Sequence, residues 1–194
     1  MDRREAISRI AMVMGGTLLS TDSLFATASR VVEDYDGDAP GIGLFTKKQI
    51  KIMDEMADVI LPRTTTPGAK DAKTVGQFMA RFISDCHEER EQKIALNGLT
   101  KLDEECKKRY GKTFMKASRQ QRHDFLAELD AEQRAYTKNK KADEPVHWFR
   151  LFWELSLFGF FTSEVGSTQV LRWTMVPGRY ETIPYKKGDR AWGG

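Results

Sequence analysis

Apolar side chains between residues 46 and 62 recur at the three- and four-residue spacing of an amphipathic helix. Thr46, a good N-cap residue, precedes Ile50, Met53 and Ala57, and Pro62 closes the segment. This pattern predicts a first helix with one buried face. Residues 63–69 follow as a loop, in which Pro67 and Gly68 form a turn.

A second periodic segment begins after Thr74, which we expect to cap it. Its predicted buried stripe consists of Val75, Phe78, Met79, Phe82 and Ile83. We expect the helix to run to Gly111, either as one straight helix or with a break near Asn97-Gly98.

The second half of the chain predicts two more helices. Ser118 followed by Gln121 resembles a capping box, residues 137–144 read as a polar loop, and Pro145 suits the first turn of a long helix. Residues 29–45 predict an extended lead-in, and residues 167–194 show no helical stripe. The expected fold class is therefore all-α, an irregular helical domain with an extended N-terminal lead-in and an irregular C-terminal arm.

The long helix is unusually aromatic. Its aromatic side chains are distributed around nearly the whole circumference of the helix. The helix is therefore expected either to lie at the centre of the core or to face a partner protein as well. A lesser alternative is that the aromatic side chains line a cofactor site. Arg150 and Glu154 interrupt the apolar run, which argues against a membrane span. The rings belong to Trp148, Phe149, Phe152, Trp153, Phe158, Phe160 and Phe161.

The N-terminus has the layout of an export signal. Arg3 and Arg4 precede a weakly apolar run over residues 10–19, and Ala26-Thr27-Ala28 fits a cleavage site. Paired arginines before weak hydrophobicity indicate the twin-arginine route, which exports folded proteins. We predict a signal peptide over residues 1–28 and a single helical domain over residues 29–194. The alternative is an amphipathic first helix of a cytosolic protein.

Export to an oxidising compartment would allow Cys86 and Cys106 to pair. In one straight helix they would lie roughly 30 Å apart, too far for a disulfide. A hairpin at Asn97-Gly98 would let them meet, and pairing with a partner subunit is a third possibility.

The composition and charge of the chain limit the classes of function that it can have. The chain has 194 residues, consistent with one domain, and a net charge of +3, too small to indicate nucleic-acid binding. Its two cysteines and three histidines form no zinc or haem motif, and Ser163 lacks the GxSxG setting of a nucleophile. A carboxylate at Glu154 in apolar surroundings could serve as an acid or base, although pairing with Arg150 is the plainer expectation. We expect no catalytic, cofactor-binding or metal-binding residue in this chain.

Several stretches together resemble the subunit 3 family of gluconate 2-dehydrogenase. They are RREAI at 3–7, ADVILPRTTTPGAKDA at 57–72, VGQFM at 75–79, GFFTSEVGSTQVLRW at 159–173 and VPGRYETIPYKKGDRAW at 176–192. One departure is Asp2, which precedes the arginine pair where such signals more often carry Ser or Thr.

The resemblance implies a non-catalytic partner of a large FAD-dependent subunit of the GMC oxidoreductase class, which oxidises sugars, sugar acids or glycosides. Electrons then pass to a cytochrome c. The FAD would sit in the large subunit, which folds first and is carried out by the small subunit through the twin-arginine translocase. The implied location is the periplasm, or the inner membrane surface where the signal is not cleaved.

The interface candidates lie in the PGAK loop, the aromatic helix, the TSE turn and the C-terminal arm. They are Pro67, Gly68, Trp148, Trp153, Phe161, Glu164, Trp173, Pro177, Gly178, Arg179, Tyr180 and Trp192. The structural alternative is that Glu164 caps local amides and that Pro177-Gly178 only sets a turn. Two other functions stay open at this point: a stand-alone periplasmic hydrolase or lyase using Glu154 and a histidine, and a cytosolic helical scaffold.

Overall fold

The described fold consists mainly of α-helices, which confirms the predicted all-α class. The computed structural model describes residues 40–176, 178, 182, 184 and 186–193. The predicted signal with Arg3 and Arg4 lies outside these residues. The elements in chain order are β1 Pro40–Ile42, β2 Phe45–Thr46, α1 Lys47–Ile60, α2 Ala69–Ala72, α3 Val75–Cys86, α4 Glu89–Tyr110, a 3-10 turn Phe114–Lys116, α5 Arg119–Asn139, α6 Trp148–Phe161 and a π-helical turn Gly166–Val170.

Helix α6 is the centre of the core, as its all-round aromatic pattern predicts. It packs against α1, α3, α4 and α5. The hydroxyl of buried Ser156 donates to the carbonyl of Phe152 at 2.7 Å, so the apolar interior holds no unpaired group there. The buried residues of α6 are Trp148, Phe149, Leu151, Phe152, Leu155, Ser156, Gly159 and Phe160.

Local capping sets several helix ends where the sequence predicts them. Thr46 and Ser118 form complete capping boxes at α1 and α5. Gly111 ends α4 with a φ of 66°, a left-handed conformation that suits glycine. Thr74 is the N-cap residue of α3, as predicted, but the expected side-chain cap is wrong, because its side chain makes no capping bond. The carboxylate of Asp54 on α1 takes that role and accepts from the Gly76 amide at 2.6 Å.

The predicted break at Asn97-Gly98 is also wrong, because both residues lie inside α4. The chain turns earlier, between α3 and α4, at His87 and Glu88. There the Gln92 amide donates to the carbonyls of Ser84 and His87 at 3.1 and 3.0 Å, which satisfies groups at the end of α3.

Neither cysteine forms a disulfide in this arrangement. Cys106 is buried in α4, whereas Cys86 is exposed at the end of α3. The hairpin that would have brought them together does not form at Asn97-Gly98, since α4 is continuous there.

Helix α6 begins later than predicted. Its first residue is Trp148, so Pro145 lies in the connecting loop and not in a first helical turn. The Pro145 carbonyl accepts from the Tyr136 hydroxyl at 3.0 Å, and His147 Nδ1 accepts from the Phe149 amide at 3.3 Å. These two bonds fix the loop and cap the helix. Helix α5 also continues to Asn139, into the segment predicted as loop.

Gly98 shows why α4 tolerates a glycine in its interior. A Cβ atom there would lie 2.7 Å from Cε3 of the buried Trp148 ring. Alanine in a helix interior normally stabilises by about 0.5–1 kcal/mol relative to glycine. Because the ring is buried and would have to move, we expect Gly98→Ala to destabilise the protein instead, by about 1–3 kcal/mol.

Urea unfolding of four proteins tests this expectation: the wild type, Gly98→Ala, Trp148→Phe and the double variant. The smaller ring should relieve the clash, so Gly98→Ala should cost less in the Trp148→Phe background. Stabilisation by Gly98→Ala in the wild-type background would contradict the close packing of α4 on α6.

Candidate interface at the C-terminal arm

Of the seven large apolar side chains that are exposed on the described part of the chain, four belong to residues that follow α6. Trp173, Met175, Val176 and Trp192 are 46%, 79%, 74% and 56% exposed. We call these four residues the arm face. Exposed apolar side chains gathered in one segment are typical of a protein-binding surface.

The arm is held at both ends and does not simply trail away. Arg172 and Trp192 form a parallel bridge, in which the Arg172 amide donates to Ala191 and the Gly193 amide donates to Arg172, each at 2.8 Å. The Arg172 guanidinium pairs with Asp189 at 3.1 Å and lies 5.9 Å from the Trp192 ring centre. The backbone at residue 172 therefore lies beside the backbone at residues 191–193.

The π-helical turn Gly166–Val170 supports this closure. The Leu171 amide donates to Gly166 at 2.9 Å, and the Arg190 guanidinium donates to the carbonyls of Thr168 and Gln169 at 3.1 and 2.9 Å. We call the contacts of Arg172, Asp189 and Arg190 the arm clasp. The sequence reasoning missed these three residues, because their partners are distant in the chain.

The TSE turn is organised by Ser163 and not by Glu164. The Ser163 hydroxyl donates to Phe160 at 2.6 Å and accepts from the Gly166 amide at 3.1 Å. The carboxylate of Glu164 makes no hydrogen bond or ion pair within the described part of the chain, and the residue is exposed. The alternative that Glu164 caps local amides is therefore wrong.

A groove of about 510 Å³ lies between the end of α6, the π-helical turn and the returning chain. We call it the arm groove. Three predicted interface residues, Phe161, Glu164 and Trp173, line it together. The full lining is Phe161, Thr162, Glu164, Ser167, Thr168, Leu171, Trp173 and Gly193.

The remaining interface candidates lie elsewhere. Trp148 is buried against Gly98, and Trp153 is half-buried on α6. Gly68 is buried, and its amide donates to the Asp71 carboxylate at 2.8 Å. Of the arm candidates, Gly178 has a φ of 72°, whereas Pro177, Arg179 and Tyr180 lie outside the described residues.

The loop before α2 is fixed by a charged pair. Arg63 forms a bidentate hydrogen-bonded ion pair with Asp71. The Arg63 guanidinium, together with the Gly68 amide, lowers the pKa of Asp71. Gly68 is required here, since a Cβ atom would lie 2.4 Å from the Arg63 amide nitrogen. The PGAK loop thus has a structural explanation that does not need a partner.

A second cleft, of about 340 Å³, lies beside α1 and α2. It carries charges of both signs but no serine, cysteine or histidine, so it lacks a hydroxyl or thiol nucleophile paired with a histidine base. Glu55 is held by Arg122 of α5 at 3.1 Å. The lining residues are Lys51, Asp54, Glu55, Asp58, Ala69, Lys70, Lys73 and Met115.

Asp54 in this cleft has a raised pKa. Burial disfavours its charged form and outweighs the Gly76 amide bond, which acts in the opposite direction. A carboxyl whose pKa is higher in the folded state contributes stability below the unfolded-state pKa of about 3.9. That contribution is lost as the pH rises through the higher pKa of the folded state.

We therefore expect Asp54→Asn to stabilise the protein at pH 7, by up to about 1 kcal/mol, because asparagine accepts from Gly76 without carrying a charge. The gain should shrink as the pH falls toward 3.5, where the wild-type carboxyl is neutral as well. Unfolding by urea at several pH values measures the difference. A gain that grows on acidification would contradict the assigned direction of the pKa.

The candidate catalytic groups do not assemble. Glu154 is exposed and pairs with Arg150 at 2.6 Å, so its expected apolar surroundings are not found. Each histidine contacts a different carboxylate: His87 meets Glu91, His123 meets Asp124 and His147 meets Glu132. Among the residues that the structure describes, no group of three His, Cys, Asp or Glu side chains could hold a metal ion.

The described helices also include none that is both long and apolar enough to cross a bilayer.

Comparison with known proteins gives one match. The family model described as gluconate 2-dehydrogenase subunit 3 matches residues 47–178, from the start of α1 into the arm. No curated protein and no solved structure matches the chain.

Proposed function

Because the chain belongs to the gluconate 2-dehydrogenase subunit 3 family, we propose that it is the non-catalytic small subunit of a periplasmic dehydrogenase complex. Its partner is a large FAD-dependent subunit of the GMC class that oxidises a sugar, a sugar acid or a glycoside. A cytochrome c, as a further subunit or a separate carrier, accepts the electrons.

The observation that carries this proposal is the arm face beside the arm groove. The arm clasp, with its ion pairs and backbone hydrogen bonds, holds apolar side chains in exposed positions. Such a surface is preorganised for binding, and preorganisation lowers the entropic cost of association. Trp173 and Trp192 are of the residue type most often found at interface hot spots. The arm clasp holds these side chains in place without burying them.

We assign the FAD to the partner because of the residues that this chain offers. The arm groove offers a diphosphate no cationic side chain and presents one carboxylate, which would repel it. The sequence contains no GxGxxG loop of the kind that cradles dinucleotides. Both features support the proposal that this chain binds another protein and that the partner binds the FAD.

The same proposal makes the chain an export escort. Arg3 and Arg4 would direct it to the twin-arginine translocase, which carries folded, cofactor-loaded cargo. The large subunit would leave the cytoplasm bound to this chain and would gain stability from it. An uncleaved signal would hold the complex at the inner membrane.

Co-expression with the GMC-class flavoprotein that we expect to be encoded beside this chain tests the role. Dye-linked sugar oxidation and FAD content are measured in the periplasmic fraction for the wild type, for Arg3→Lys with Arg4→Lys, and without this chain. We expect exported activity only with the wild type. Equal periplasmic activity in all three samples would contradict the escort role.

A further inference from the structure

The arm groove combines an apolar lining with one unpaired charge. Phe161, Leu171 and Trp173 supply apolar surface, and Glu164 places a carboxylate at the same groove. That carboxylate has no hydrogen bond or ion pair among the described residues. A groove of this kind suits a ligand with an apolar body and an adjacent positive charge.

The two arginines of the arm clasp already have partners. The Arg190 guanidinium donates to the carbonyls of Thr168 and Gln169, and Arg172 pairs with Asp189. Neither can turn to Glu164 without opening the arm clasp. A bound partner could therefore supply the cation that pairs with Glu164.

The walls of the groove are formed before any ligand binds. Leu171 is anchored by its amide bond to Gly166, and Gly193 packs so closely on Leu171 that a Cβ atom would lie 2.8 Å from Leu171 Cδ1. The Thr168 hydroxyl donates to the Glu164 carbonyl at 2.6 Å, which fixes the backbone that carries the carboxylate. A segment that fits the groove thus binds without reorganising it.

We infer that the arm groove receives a segment of the flavoprotein partner in which a lysine or arginine adjoins an apolar side chain. The inference rests on the proposed function, which supplies the partner. The apolar side chain enters the groove between Phe161 and Leu171, and the cation pairs with Glu164. Such a charge pair at the edge of an apolar contact fixes the register of the bound segment.

Two substitutions test the two halves of this contact. Glu164→Arg reverses the charge, and Thr168→Trp fills the groove from an exposed position. Their matched controls are Glu104→Arg, on an exposed and unpaired carboxylate of α4, and Gln169→Trp, on the exposed neighbour whose side chain does not line the groove. Circular dichroism and thermal unfolding establish that each variant is folded.

The affinity of each purified variant for the purified FAD-loaded flavoprotein is measured by titration at low and high salt. We expect Glu164→Arg and Thr168→Trp to bind at least tenfold more weakly, and both controls to stay within twofold of the wild type. The wild-type affinity should fall with salt, and this fall should be smaller in Glu164→Gln.

The outcomes separate the inference from the proposed function. Tight binding by the wild type and by both groove variants would overturn the inference and leave the small-subunit role intact. No binding by the wild type would overturn the role itself. A wild type that forms a dimer through the groove, detected by its mass in solution and lost in Thr168→Trp, would assign the groove to a second copy and overturn the inference.

Discussion

Phe152→Ala is expected to lower the free energy of unfolding by about 3–5 kcal/mol, the range for truncating a buried phenylalanine. Phe152 has no exposed surface and lies on α6, the helix against which the other helices pack. Its ring meets the edge of Trp148 at a centroid distance of 6.3 Å. The cavity left behind would adjoin several helices, so no single element could collapse to fill it.

Phe158→Ala is the matched control, since Phe158 lies on the same helix but is 48% exposed. It packs edge-on against Phe78 and Phe82, so some loss is expected, about 1 kcal/mol. Urea unfolding followed by circular dichroism measures both variants. Equal losses for the two substitutions would contradict the central position of α6.

Gly166→Ala is expected to have the second large effect. A Cβ atom at this position would lie 2.0 Å from the Phe160 carbonyl oxygen and 2.8 Å from its carbonyl carbon. Both atoms belong to the backbone of α6 and cannot rotate aside. We expect a loss of about 3 kcal/mol, the upper end for overpacking. The π-helical turn would shift, and the arm clasp with it.

The same substitution at Gly111 is the control for this prediction. A Cβ atom there meets nothing within 4 Å, so the cost arises only from the φ of 66° and should be about 1 kcal/mol. Unfolding midpoints measure stability, and titration with the flavoprotein measures binding. Gly166→Ala should weaken binding at least tenfold, whereas Gly111→Ala should bind like the wild type. Normal binding by a destabilised Gly166→Ala would show that the arm does not contribute to the interface.

Local sequence signals predicted the helices well where capping is local. Thr46 with Gln49 and Ser118 with Gln121 each satisfy a helix start within four residues, so the sequence carries the whole motif. The end of α4 at Gly111 is also predictable from local sequence, because it requires only the left-handed backbone conformation that glycine adopts easily. The aromatic run of α6 likewise predicted a central helix, because no outer helix could leave so many rings in water.

The predictions that were wrong concern positions whose local structure depends on a residue elsewhere in the fold. Asn97-Gly98 looks like a turn, but the glycine is there to admit the Trp148 ring. Thr74 looks like a cap, but Asp54 supplies the bond from another helix. Pro145 would suit a first helical turn, but the Tyr136 hydroxyl holds its carbonyl in a loop. None of these partners is close in sequence, so no local pattern could reveal them.

The candidate site was predicted in part. Phe161, Glu164 and Trp173 stand in the resemblance to the family and line one groove. The arm clasp was not foreseen, because Arg172 and Asp189 are far apart in the sequence. Glycine and proline in the arm predicted the absence of helix, but they carry no information on where the chain comes back.

The central claim is that this chain works as the protein partner of a flavin enzyme. The most direct measurement is the visible absorption spectrum of material captured through a tag on this chain, after co-expression with the flavoprotein expected to be encoded beside it. The account predicts two chains in a fixed ratio, flavin absorption and dye-linked sugar oxidation, with none of this activity in the chain alone. A colourless preparation of this chain alone, from cells that contain the folded flavoprotein, would contradict it.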